Sequence, residues 1–113
     1  MEAVERDDGE LCGFVARHGD QWHALTVFGA RLGAHAEQSE AVEHVLVDGL
    51  AALADRWVLR GDGRDGVDQV VCVVEARPGE VTLALDVYAY PGVPMLTVTA
   101  DELASGRWHL QRT

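Results

Sequence analysis

Residues 69 to 90, QVVCVVEARPGEVTLALDVYAY, are two runs of β character joined by Arg-Pro-Gly-Glu, and they build an antiparallel ladder into whatever fold this chain adopts. Proline presets φ for the second position of a type II turn and glycine accepts the positive φ of the third, so Pro78-Gly79 reverses the chain. In the second run Val81, Leu83, Leu85, Val87 and Ala89 alternate with Thr82, Ala84, Asp86, Tyr88 and Tyr90. A side-chain period of two puts the first set on an apolar face and the second on a mixed outer face. The first run is apolar on both faces, which suits a central strand.

The spacing predicts one long helix to cover the apolar face. Ser39 is placed as an N-cap, Glu40 and Glu43 put negative charge in the first turn, and Val42, Val45, Leu46, Leu50, Leu53 and Trp57 recur at helical intervals. These signals give a helix from about residue 40 to about residue 56. Gly49 lies among its apolar positions, where glycine costs about 1 kcal/mol relative to alanine, so a close contact with a strand is the reading for it. Upstream, LCGFVARHGDQWHALTVFG reads as a hairpin around His18-Gly19-Asp20-Gln21, with strand residues running through Val27 and Phe28. ARLGAHAEQ is a loop or a short strand.

Downstream, RGDGRDGVD at residues 60 to 68 reads as an exposed, glycine-rich loop. Its Arg-Gly-Asp triplet is short enough to occur by chance. Pro91-Gly92-Val93-Pro94 makes another turn and MLTVT one more strand. Thr99 with Glu102 three residues on is a capping box, so Ala100 to Ser105 is a short helix stopped by Gly106, after which Trp108 and Leu110 pin the tail.

The resulting fold class is α+β: an antiparallel sheet of four to five strands with one long amphipathic helix on one face and a short C-terminal helix. At 113 residues the chain is one domain over residues 11 to 113, burying roughly 65% of the surface its unfolded chain exposes. Residues 1 to 10 carry five acids against Arg6 and read as a flexible acidic tail.

Nine arginines against nineteen acids give a net charge of −10, a field that repels phosphate backbones and argues against direct nucleic-acid binding. The start of the chain has no signal-peptide pattern, and no apolar run approaches a membrane span. Two cysteines make no disulfide framework, so the expected setting is cytoplasmic, with reduced thiols and no membrane. Lysine, asparagine and isoleucine, whose codons are A/T-rich, are absent, which points to a GC-rich genome of the kind many soil actinobacteria have. Without lysine there is no Schiff base and no phosphate-loop lysine.

No constellation identifies a reaction. Five histidines invite a metal site, but a site needs three or four converging ligands, and His44 is more simply an (i, i+4) partner of Glu40. No metal or other cofactor is expected. Cys12 and Cys72 sit in apolar runs as small hydrophobes, and Ser39 and Ser105 are explained by helix ends. Asp86 stands out in an apolar strand: either the outer face is open, or the carboxylate works in a pocket with His23 or His109.

The order of a hairpin followed by the acid-rich helix EAVEHVLVDGLAAL resembles the small β-β-α antitoxins of the HicB type over about forty residues. The resemblance assigns no role to any residue. The function expected from the residues is non-enzymatic binding or regulation through protein contacts, as a homodimer, with Ala84, Asp86, Tyr88 and Tyr90 as the partner-binding face. The alternative is a small-molecule binding domain or small enzyme with Asp86 and a histidine in a sheet-facing pocket.

Overall fold

The computed structural model describes residues 1–61, 68–86 and 88–113. The fold is α+β, but with two antiparallel sheets, of four and five strands, where one was expected. The first is a meander of β1 (Glu2–Glu5), β2 (Leu11–His18), β3 (Gln21–Leu25) and β4 (Arg31–His35) in that order. The turn falls where it was read, with His18 opposite Gln21 and Gly19 at φ 64°. ARLGAHAEQ contributes the strand β4. Residues 2 to 5, read from sequence as part of an acidic tail, pair with β2: Val4 lies opposite Gly13 and is 5% exposed, while Glu2 and Glu5 stay in water. One apolar side chain on the inner face is enough to add the acidic start to the sheet as an edge strand.

Helix α1 (Gln38–Asp48) covers this sheet, burying Ala41 and Val45 against Val4, Cys12, Val15 and Ala24. It is preceded by Glu37, whose N–H donates to Glu40 Oε1 at 3.2 Å, so the cap lies two residues before Ser39. The hairpin and helix of the HicB-type resemblance are both present, but β1 precedes the hairpin and β4 separates it from the helix.

The helix also stops short of residue 56. Gly49 closes it, a 3-10 turn at Ala51–Ala54 follows, and Trp57 belongs to the next strand. The buried stripe is therefore rotated from the expected one, and Leu46 is 38% exposed while Val45 is wholly buried. Val45→Ala should cost about 2 kcal/mol, two buried carbons at ~0.8 kcal/mol each plus a cavity. Leu46→Ala should cost less than half of that, and urea denaturation of both variants compares them directly.

The second sheet comprises β5 (Arg56–Gly61), β6 (Gln69–Arg77), β7 (Glu80–Ala84), β8 (Met95–Thr99) and β9 (Trp108–Arg112), ordered β8-β7-β6-β5-β9. β6 is central, as its apolar run predicts, although Val74 on it is exposed. The Pro78-Gly79 turn joins it to β7, with Gly79 at φ 80°. Helix α2 (Ala100–Ala104) carries the chain from the β8 edge to the opposite edge, and its capping box is present: Glu102 N–H donates to Thr99 Oγ1 at 3.2 Å and Thr99 N–H to Glu102 Oε1 at 3.1 Å. Arg60 and Gly61 end β5, and Arg60 forms a two-pronged ion pair with Asp68. Residues 62–67 of the glycine-rich segment, including the aspartate of its Arg-Gly-Asp triplet, lie outside the described residues.

The strand expected to reach Tyr90 ends at Ala84. Leu85 N–H still donates to Pro94 C=O at 2.9 Å, but proline has no N–H to return, so the ladder cannot continue past that pair. Val81 and Leu83 are buried as expected, though not under α1. Their cover includes the β3–β4 turn, whose Val27, Phe28 and Ala30 enter a core with Trp57, Leu59, Val71 and Val98. Val27 and Phe28 are thus turn residues, not strand residues. Thr26 shapes the turn, accepting at Oγ1 from Ala30 N–H (3.1 Å) and at its carbonyl from Gly29 N–H (3.0 Å), with Gly29 at φ 91°. Gly79 N–H donates to Val27 C=O at 3.0 Å, and Ala100 N–H to Gly79 C=O at 2.8 Å. The turn of the first sheet is thereby tied to the hairpin turn of the second.

Candidate binding site: a basic cleft between the sheets

The insertion of residues 26 to 30 brings β4 alongside β9, and the two sheets diverge around a cleft of about 880 Å³. β3 and β4 form one wall; α2 and β9 form the other. The chain is acidic at about one residue in six, yet no Asp or Glu is among the described residues that line this cleft. Three of the five histidines are there, His18, His23 and His109, together with Arg31 and Arg112.

The two arginines differ. Arg112 donates to Asp48 Oδ2 (3.0 Å) and, from two nitrogens, to Asp55 Oδ2, so its charge is already compensated. Arg31 forms no ion pair with a described carboxylate. The His18 and His23 rings stack with centroids 5.0 Å apart and planes 20° from parallel. Burial, then the positive charges of Arg31 and His18, hold His23 below its ordinary value, so it is neutral near pH 7. A guanidinium with no ion-pair partner among the described carboxylates, beside the His23 imidazole held below its ordinary value, is a local positive potential that the described residues do not neutralise.

Asp48 links the helix to the far wall of the cleft. The Arg112 hydrogen bond first, and the charges of Arg112 and His44 after it, hold the Asp48 carboxyl below the usual carboxylate range despite the opposing effect of burial. A folded-state value below the unfolded one stabilises the fold above about pH 4 and loses that stabilisation as the pH falls through the lower folded value. Asp48→Asn should therefore flatten the acid limb of the stability profile below about pH 4, as read from thermal melts across that range.

The residues singled out from sequence lie elsewhere. Ala84 is wholly buried in β7 and offers no surface to a partner. Asp86, Tyr88 and Tyr90 occupy the connection between β7 and β8 and not a sheet face, with Tyr88 65% and Tyr90 54% exposed. Tyr90 Oη donates to Asp86 Oδ2 at 3.0 Å, and the Arg56 guanidinium lies 5.0 Å over the Tyr88 ring. Asp86 does not line the cleft that holds both His23 and His109. Nor does His44 pair with Glu40: its Nδ1 is 2.8 Å from His35 Nε2 and its Nε2 is 3.4 Å from Asp48 Oδ2. Among the described residues no three His, Cys, Asp or Glu side chains converge as metal ligands, and no helix is long and apolar enough to cross a membrane. Cys12 and Cys72 are both free thiols.

Arg31 is the residue that sequence reasoning passed over. A signal was available: residues 11 to 36 hold Arg17, Arg31 and three histidines against Asp20 alone, and residues 107 to 113 hold two arginines and a histidine with no acid. These two cation-rich stretches of an acidic chain are the ones that meet at the cleft. Comparison with known proteins finds no matching family model, no similar curated protein and no similar solved structure, and the HicB-type resemblance gains no support from it.

Proposed function

We propose that the protein is a non-enzymatic binding or regulatory protein of the cytoplasm whose ligand occupies the cleft between β3–β4 and α2–β9. The observation that carries this reading is the concentration of His18, His23, His109 and Arg31 in a concavity whose described lining has no carboxylate, in a chain with net charge −10. The described lining holds no serine, cysteine, threonine or carboxylate to act as nucleophile or to orient a histidine, so binding fits it better than turnover. A cleft of this size is in the range that accommodates small ligands. The test is a thermal-shift screen of chemically diverse metabolites against the native protein and Ala104→Trp, which fills the cleft from an exposed position on α2. A ligand present at a hundred times its Kd adds about 2.7 kcal/mol to stability, a shift of several degrees. That shift is expected for the native chain and should shrink in Ala104→Trp; equal shifts in both would place the binding elsewhere.

A second reading, homodimerisation, draws on Tyr88, Tyr90 and Met95, which are large and exposed, the two tyrosines in the β7–β8 connection and Met95 at the start of β8. Aromatic side chains of this kind concentrate binding energy at interfaces. Light scattering after size exclusion should then give twice the chain mass, and Tyr88→Glu should shift the protein toward monomer. A monomer at micromolar concentration ends this reading and leaves the cleft untouched.

A further inference from the structure

We infer that the ligand of the cleft is a small organic anion, whose carboxylate or phosphate group sits between Arg31 and the His18–His23 stack while its apolar part lies against Leu103 and Trp108. The inference rests on the proposed use of the cleft and adds the chemistry of what enters it. His23 and Arg31 are on adjacent strands of the same wall, close enough for the arginine charge to bear on the imidazole, and an anion between them relieves that repulsion. Arg31 offers a planar fork of donors for a carboxylate or phosphate, and the imidazoles add one donor each while neutral and two when protonated.

The size of the anion follows from the rest of the molecule. A net charge of −10 repels a polyanion whose length carries it past the cleft rim, because the field of the acidic surface extends about 10 Å at ordinary ionic strength. A compact ion with one or two charges, wholly inside the concavity, meets Arg31 and the imidazoles, while two carboxylates beside the lining, Asp48 and Asp55, are already engaged by Arg112. The apolar end of the cleft distinguishes such a ligand from a bare inorganic ion: Leu103 on α2 and the half-buried Trp108 on β9 provide a surface that only an organic group can cover.

Binding of this kind takes up protons. The charged and titratable groups that line the cleft with the His18–His23 stack are Arg31 from β4 and His109 and Arg112 from β9; Arg17 and Asp20 are near the same hairpin turn but do not line it, Arg17 standing opposite Trp22 with its Nε donating to Gly19 C=O at 3.1 Å. A bound anion favours the imidazolium form of His23, which burial and the charges of Arg31 and His18 oppose in its absence, so affinity rises as the pH falls.

Sulfate is a suitable probe because its charge is constant from pH 5.5 to pH 8. Ring resonances of the five histidines are followed by NMR during sulfate titrations at both values, with chloride at matched ionic strength as the control. The expected result is a saturable response of His18 and His23, with His35 and His44 outside the cleft unmoved, and binding about tenfold tighter at the lower pH. Arg31→Gln, a change at an exposed position, should weaken sulfate about tenfold without moving the melting temperature. Aromatic carboxylates should bind more tightly than sulfate because they also cover Trp108. No saturable response at pH 5.5, or equal responses from all five histidines, would overturn the inference. So would tighter binding of a short oligoglutamate than of any small anion, since the occupant would then be an acidic polypeptide. If the thermal-shift screen returns neutral or cationic ligands that Ala104→Trp excludes, the anion inference fails while the cleft reading survives; if neither assay finds a ligand, both fail.

Discussion

Phe28→Ala is expected to be among the most damaging single truncations in the protein, costing about 3 to 5 kcal/mol, a large part of the 5 to 15 kcal/mol by which domains of this size are stable. Phe28 lies in a turn, where sequence position would suggest tolerance, but the ring is wholly buried and meets Trp57 edge-on with centroids 5.9 Å apart and planes at 68°. It is a first-sheet residue in the second-sheet core, among Leu59, Val81, Leu83 and Val98. Truncation leaves a ring-sized void under a turn whose backbone is fixed by the Gly79–Val27 and Thr26–Ala30 hydrogen bonds, so the cavity cannot collapse cheaply. Urea denaturation should show the full loss. Because Phe28 is part of the joint that places β4 beside β9, the variant should also lose the His18–His23 response to sulfate at temperatures where it is still folded. A loss below about 1 kcal/mol, typical of a surface turn, would show that the two sheets are not held together in this way.

That joint explains which parts of the fold were legible in the sequence. Pro78-Gly79, the His18–Gln21 turn and the Thr99/Glu102 cap are each written within four residues, and each forms where it was read because its hydrogen bonds are local. The central place of β6 was legible from its apolar run, which suits a strand paired on both edges, although its two faces are not equally covered: Val71 is wholly buried and Val74 is 44% exposed. What alternation along β7 cannot state is which element does the covering. The helix was the obvious candidate, yet the turn at residues 26 to 30 takes part and α1 serves the other sheet. The number of sheets follows from that choice, and no window of sequence contains it. The cleft was hidden by the same geometry: His18, His23, Arg31 and His109 are spread over ninety-two positions and become neighbours only once the sheets are joined. Asp86 was conspicuous in the sequence because it interrupted an apolar run, but the ladder ends two residues before it, and in the connection a carboxylate paired with Tyr90 is ordinary.

Gly49→Ala should destabilise the protein although it improves helix propensity. Leu50, Leu53 and Trp57 continue the helical spacing past Gly49, and on propensity alone alanine at this position gains about 1 kcal/mol. The contact geometry decides against it. Gly49 has ordinary right-handed helical angles, φ −55° and ψ −47°, so nothing in its own conformation requires glycine. A Cβ there would collide with the Cys12 carbonyl oxygen of β2, sit 2.6 Å from the Val45 carbonyl oxygen and 3.1 Å from the Cys12 carbonyl carbon. These are backbone atoms in a strand and a helix, and neither can turn aside as a side-chain tip would. Relief requires α1 to lift from β2, which loosens Val45 from its place among Cys12, Val15 and Ala24. Overpacking of this kind costs about 1 to 3 kcal/mol, and with two rigid partners the upper part of that range outweighs the propensity gain. Gly49→Val, with two further methyls and β-branching, should cost more than Gly49→Ala, whereas Ala51→Ser, two residues on and exposed, should be nearly neutral. Melting temperatures of the three variants test the order. A Gly49→Ala variant as stable as the native chain or more so would mean that the helix end stands off from β2.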